Sequence, residues 1–418
     1  MFQRLTLRPK QRAQCKTTIL QTSCSKVFAV NALENRRLLC LVRVASICWL
    51  ATLLNPLQAC PLCNALASTI SDDIREARVV VLATAMAKKD ANDRDPLPYT
   101  QFQIAETLKL VQLESTHAIS LPRTQYAYAN EPIPRHQACL LMSFSSDPIQ
   151  WSPPLPVTKS AADYLRGLVE LPAEGRSRLE YFLPFLGSTD SLIADDAYNE
   201  FAKRPMNEIG QIRTQLDREV LIAILRDPAT KPRLRSLAWM LLSLCGLPSD
   251  TRLFEEVICR RDLSTESIEI DLAASMACFI VLGGETSLRR IERDFLHDRS
   301  VSISNAHAAI SAIRVVGQEF DCQTKYRLSR VLQIALARPE VADFVIPDLA
   351  RWEDWTAFDI LEQLFFDADE DTSFVRIPII NYMRLCPHPN ASAVFTQMEK
   401  VDPNSARRAA LMSGRGRQ

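Results

Sequence analysis

The chain has 418 residues, 47% of them apolar, and its 49 basic and 49 acidic residues cancel only in total, because residues 1–43 hold nine Lys or Arg against Glu34 alone and residues 60–418 carry a net of −8. The length suffices for two or three domains, and a mildly acidic body excludes a nucleic-acid binder, which needs a basic surface against phosphate. Glycine is absent before Gly167, which excludes from that stretch a phosphate-cradling loop, where backbone must approach the ligand without a Cβ.

Residues 1–59 read as an export leader. A basic stretch ending at Arg36, Arg37 and Arg43 precedes the uncharged run Val44–Leu54, then Asn55, Pro56 and the small Ala59. That is the order of a secretory signal, and the run is too short to span a bilayer. Leu57-Gln-Ala-Cys60 also resembles the lipobox of bacterial lipoproteins, which would make Cys60 the acylated residue, although Gln58 and Pro61 are atypical of it. The expected location is therefore the periplasm, the cell envelope or the exterior. Membrane association is expected only through the leader or a lipidated Cys60.

Cys60-Pro-Leu-Cys63 opens the mature chain. A thioredoxin-type site needs a strand before the motif, and here the leader occupies that place. A structural disulfide is the first reading, with Cys139, the only other cysteine of this region, as the natural partner. Thiol-redox chemistry at Cys60 and Cys63, a metal site there and acylation of Cys60 are the alternatives.

Residues 64–76 read as a short helix. Ala77–Ala85 reads as a buried strand and Tyr99–Leu108 as a half-buried one, with further strands at Ala118–Leu121 and Cys139–Phe144. Short strands with no long helix between them predict a small antiparallel barrel or sandwich over residues 60–155. Trp151-Ser-Pro-Pro-Leu-Pro156 reads as a linker, closed to both strand and helix by its prolines. Beyond it the apolar period becomes helical, with about fifteen helices from Ala161 to Lys400 separated by Pro, Gly or Asp/Ser clusters.

One stripe recurs. Leu234–Gly246 is echoed by Leu272–Gly283 and by Ala306–Gly317, the closing glycines standing 37 and then 34 residues apart. A period of that size predicts stacked helical hairpins, each burying its apolar face on its neighbours. The expected architecture is thus multidomain α+β: a small N-terminal β module, an all-α superhelical solenoid over residues 156–410, and a disordered tail at 411–418.

The aliphatic second helices, the small Ala238, Ala274 and Ala309, and the Asp and Arg near the turns resemble HEAT repeats. The order Cys-x-x-Cys, short helix and strands loosely resembles the netrin-like module, an OB-type barrel found in tissue inhibitors of metalloproteases. Later cysteines of that module are missing here. The whole resembles exported bacterial proteins that join a small β module to a HEAT-like array. Such a resemblance implies protein recognition, with protease inhibition as an alternative.

No assembled nucleophile, base and oxyanion set is legible, so a non-enzymatic scaffold binding a protein partner is expected, without cofactor or metal. His117, His136, His297, His307 and His388 are scattered, and His307 reads as a core or half-exposed position. Asp367-Ala-Asp-Glu-Asp371 lacks the glycine and the glutamate of a calcium loop, with Thr372 and Pro378 in their places, and reads as an acidic turn before the next helix. Trp352 and Trp355 flank a turn; they read as the packing of an irregular repeat or, if exposed at its edge, as the candidate partner-binding residues.

Overall fold

The computed structural model describes residues 62, 68–89, 99–111, 121–129, 133–258 and 271–415. The leader, Cys60, Cys63 and most of the expected strand Ala118–Leu121 lie outside the described residues.

Helix α1 (Ile70–Glu76) opens on a capping box: the Thr69 side chain accepts from the Asp72 N–H, and the Asp72 side chain accepts from the Thr69 N–H. The sheet follows. β1 (Val79–Lys89) is central, paired antiparallel with β2 (Tyr99–Leu110) and with β4 (Ala138–Ser143). β3 (Thr124–Tyr128) lies outside β2 and β5 (Leu155–Pro156) outside β4, so the order is β3-β2-β1-β4-β5.

β1 is apolar from Val79 to Ala83, where both its faces are buried, and it reaches the surface at Ala87 and Lys88. Val80 and Leu82, with Leu140 and Met142 of β4, join one core with the helices. Val79, Val81, Ala83 and Ala85 form a second cluster with Phe102, Ala127, Cys139 and Leu141. In place of the expected barrel or sandwich, the described strands form a single antiparallel sheet with β3 and β5 at its edges. Helices cover the first face, so the sheet has no need to close on itself to hide it. The expected linker is part of this sheet: Trp151 forms a bridge with Ser143, and Leu155–Pro156 is an edge strand, where proline's missing N–H does no harm.

Fifteen further helices are described: α2 (Lys159–Leu168), α3 (Arg176–Phe182), α4 (Ser191–Ala202), α5 (Met206–Ile209), α6 (Arg218–Arg226), α7 (Pro232–Cys245), α8 (Thr251–Ile258), α9 (Leu272–Ile291), α10 (Ile303–Glu319), α11 (Lys325–Leu332), α12 (Pro339–Arg351), α13 (Phe358–Asp367), α14 (Arg376–Leu385), α15 (Ala391–Val401) and α16 (Pro403–Arg415). α16 enters the stretch expected to be a disordered tail. Several predicted helices are tightened at one end into 3₁₀ turns, as at Leu183–Phe185, Gln333–Ala337 and Trp355–Ala357.

The three echoed stripes are the helices α7, α9 and α10. Each packs on the next, and α10 continues the series to α12, α14 and α16. Ala238, Ala274 and Ala309 are all buried. Leu272–His297 has the length and mean hydropathy (1.2) to cross a membrane, but most of it is inside the core. It also breaks at Gly284, whose φ of 60° is open to glycine at little cost.

Ion pairs recur at the same interval. Asp195 of α4 pairs with Arg233 of α7, Arg235 of α7 with Asp271 at the start of α9 (3.1 Å), and Arg314 of α10 with Asp348 of α12 (2.7 Å), at separations of 38, 36 and 34 residues. Two of the periodic glycines, Gly246 and Gly317, also receive the following unit. A Cβ on Gly246 would meet Leu282 at 3.0 Å, and one on Gly317 would meet the Trp352 ring at 2.6 Å. Gly317→Ala is therefore expected to cost about 1–3 kcal/mol by overpacking, read as a lowered denaturant midpoint. A neutral result would mean that Trp352 can move away freely.

Candidate functional site

A buried polar cluster joins α1 to the helices α2–α4. Arg178 of α3 donates from Nε to Glu200 Oε2 (2.8 Å), from Nη2 to Ser71 Oγ (2.6 Å) and from Nη1 to the Pro172 carbonyl (3.0 Å). The Thr69 hydroxyl donates to Glu200 Oε1 (2.6 Å). Asp196, one turn before Glu200, accepts from the Ile70 N–H (2.8 Å) and the Tyr164 hydroxyl (2.6 Å). Lys203 completes the dock on Asp72. With each arm engaged inside the protein, this cluster fastens α1 to the helices.

Two of its carboxylates, Asp196 and Asp72, are shifted in opposite senses. Burial raises Asp196 to about 6, aided by the charge of Glu200 and opposed by the Tyr164 hydrogen bond. Asp72 is held at about 2: burial would raise it, but the Lys203 hydrogen bond and charge prevail. The folded state thus takes up a proton at Asp196 that the unfolded chain takes up only near the ordinary value. Asp196 makes stability rise by roughly 2 kcal/mol as pH falls from 7 to 4, and Asp72 makes it fall between about pH 4 and pH 2. Asp196→Asn is expected to remove the first slope from a pH series of denaturant midpoints. An unchanged slope in the variant would refute the assignment.

A depression of about 800 Å³ beside Gly283 is rich in charge. Those charges are paired: Arg290 with Glu255, Arg289 with Glu285, which Arg327 also reaches, and Arg293 with Asp294. Cys139 is a free thiol, fully buried in the sheet, and burial pushes it up to about 11, so it does not supply a thiolate. His307 is half-buried edge-on against Phe344, and burial lowers its basicity. In the acidic turn, Asp369 Oδ1 accepts from the Thr372 N–H and hydroxyl, the local cap that its sequence suggests. Among the described residues no three His, Cys, Asp or Glu side chains converge as a metal site would need.

Trp352 and Trp355 are brought together, and with them the open site of the array. α12 ends in a Schellman turn: the Glu353 N–H bonds to the Ala350 carbonyl (3.2 Å) and the Asp354 N–H to that of Leu349 (2.9 Å). Glu353 occupies the left-handed position at φ 56° that glycine usually fills. Asp354 then caps the next turn through Thr356 (2.6 Å to the hydroxyl) and accepts from Gln333 Nε2 (2.7 Å). Tyr382, fully buried, donates to the Asp354 carbonyl (2.7 Å) and meets the Trp355 ring edge-on at 5.1 Å. Trp352 rests on Gly317, so both indoles are braced from behind.

Tyr326, 70% exposed, faces them from α11. Together these side chains line a groove of about 420 Å³. Sequence reasoning missed Tyr326. Its signal was an aromatic ring among the charges of Lys325-Tyr-Arg-Leu-Ser-Arg330, on the polar side of an amphipathic helix.

The described residues thus define an α+β protein in which one small sheet is continuous with a long run of helices. No protein-family model, no curated protein and no solved structure matches the chain.

Proposed function

We propose that this chain is an exported, non-enzymatic scaffold whose helices form a HEAT-like solenoid and bind a protein partner. The observation that carries the reading is the braced aromatic groove of Tyr326, Trp352 and Trp355. Half-exposed aromatic residues on a rigid support are what protein contacts use as anchors. The series from α7 to α16, its ion pairs one unit apart and the glycines that seat the next unit support a repeating array, and such arrays work by presenting an extended face. The resemblance to exported proteins with a small β module and HEAT-like repeats supports the same role and the envelope location.

The test is a paired capture. Wild-type chain and Tyr326→Ala, immobilised at equal density, are exposed to a native envelope fraction and the bound proteins identified by mass spectrometry. One partner recovered near stoichiometry by the wild type and lost with Tyr326→Ala supports the reading. Identical recoveries, or none above bare matrix, overturn it.

A further inference from the structure

We propose that the groove at the end of α12 accepts an arginine side chain of the partner protein. This rests on the reading of the array as a protein-binding scaffold and adds the chemistry that it recognises.

Three features converge on a cation. The walls are aromatic, and ring faces attract guanidinium and ammonium groups, indole most strongly. The groove has two carboxylates, Glu353 and Asp354, and no basic residue lines it. Neither carboxylate forms an ion pair among the described residues. Elsewhere on the array acids at unit junctions are matched, as Asp250 is by Arg218, Asp271 by Arg235 and Asp348 by Arg314. Asp354 is 7% exposed, and its side chain accepts from the neutral groups of Gln333 and Thr356, Gln333 being held in turn by Arg330.

Glu353 adds a second line. Its backbone sits at φ 56°, where an L-residue is strained and glycine is not. The chain keeps a carboxylate at a position whose geometry favours its loss. The volume, about 420 Å³, is at the lower end for ligand sites, enough for a side chain and its flanking peptide. A planar guanidinium can lie flat on an indole while forking onto Glu353, which an ammonium cannot do.

The experiment titrates the full chain with three acetylated, amidated pentapeptides, glycine flanking a central arginine, citrulline or glutamate, and follows tryptophan fluorescence and heat. Saturable binding of the arginine peptide is expected, weakened roughly tenfold by citrulline, by Glu353→Gln and by Tyr326→Ala. Glu353→Gly is expected to bind as weakly as Glu353→Gln while raising Tm by about 2 °C, so lost binding cannot be lost folding. Equal affinity for the arginine and citrulline peptides, or no saturation by about 10 mM, overturns the inference. Should that happen while Tyr326→Ala still abolishes partner capture, the ligand class falls and the scaffold reading stands. If capture is also unaffected, both fall.

Discussion

Arg178→Ala is expected to lower the unfolding free energy by about 3–5 kcal/mol, a large part of the margin on which an ordinary domain folds. The Arg178 and Glu200 side chains are 3% and 2% exposed. Removing the guanidinium leaves the Glu200 carboxylate inside the protein with the Thr69 hydroxyl as its remaining partner, and strips Ser71 of its donor. It also removes the cation lying 5.2 Å from the Phe182 ring. A buried ion without its counter-ion is far costlier than a pair replaced whole, so Arg178→Met combined with Glu200→Leu should recover much of the loss. Urea unfolding followed by far-UV circular dichroism measures both. A loss below about 1 kcal/mol in the single variant would mean that water reaches Glu200 and the cluster is not the dry dock described.

Asp348→Ala should cost about 3 kcal/mol, with a local signature. The Asp348 side chain is fully buried and accepts from Arg314 at 2.7 Å and from Arg351. Arg314 also donates to the Phe344 carbonyl (2.7 Å), so Asp348 holds α10 against α12 through it. Both arginines keep access to water, which places the effect at the low end for a broken buried pair. In stacked units stability divides into unit and interface parts, so amide hydrogen exchange should accelerate first in α10 and α12. Arg351→Ala is the control: its half-exposed pair contributes less than about 1 kcal/mol. Uniform acceleration across α2 to α16 would show that the helices open as one body instead.

Local rules made much of this fold legible. Arg218–Arg226 and Ala391–Lys400 were readable because each joins an apolar stripe to a polar or proline stop, and β1 because a β-branched apolar run has few other uses. β3 escaped because its inward positions hold the polar Gln125 and the small Ala127 while Tyr126 points outward, so burial alternates along Thr124–Tyr128 but hydropathy does not. β5 escaped because its prolines forbid a central strand but not an edge one. The tryptophans of the candidate site were visible, and Tyr326 was not. What places it opposite Trp352 is the packing of α11 between two neighbours, a distance relation that no window of sequence holds. The same is true of Ser71 and Arg178, which stand 107 residues apart.

That polar dock has a consequence for how the chain matures. Thr69, Ile70 and Asp72 find their partners 131, 126 and 131 residues further on. As the polypeptide emerges, α1 stays unsatisfied until Lys203 has followed it. The reverse also holds: Arg178, Asp196 and Glu200 would be charges and dipoles facing a gap in any fragment beginning after Glu76. The sheet and the early helices are therefore finished together, and cutting the chain at the change from strands to helices would separate two pieces that each lack half of a lock.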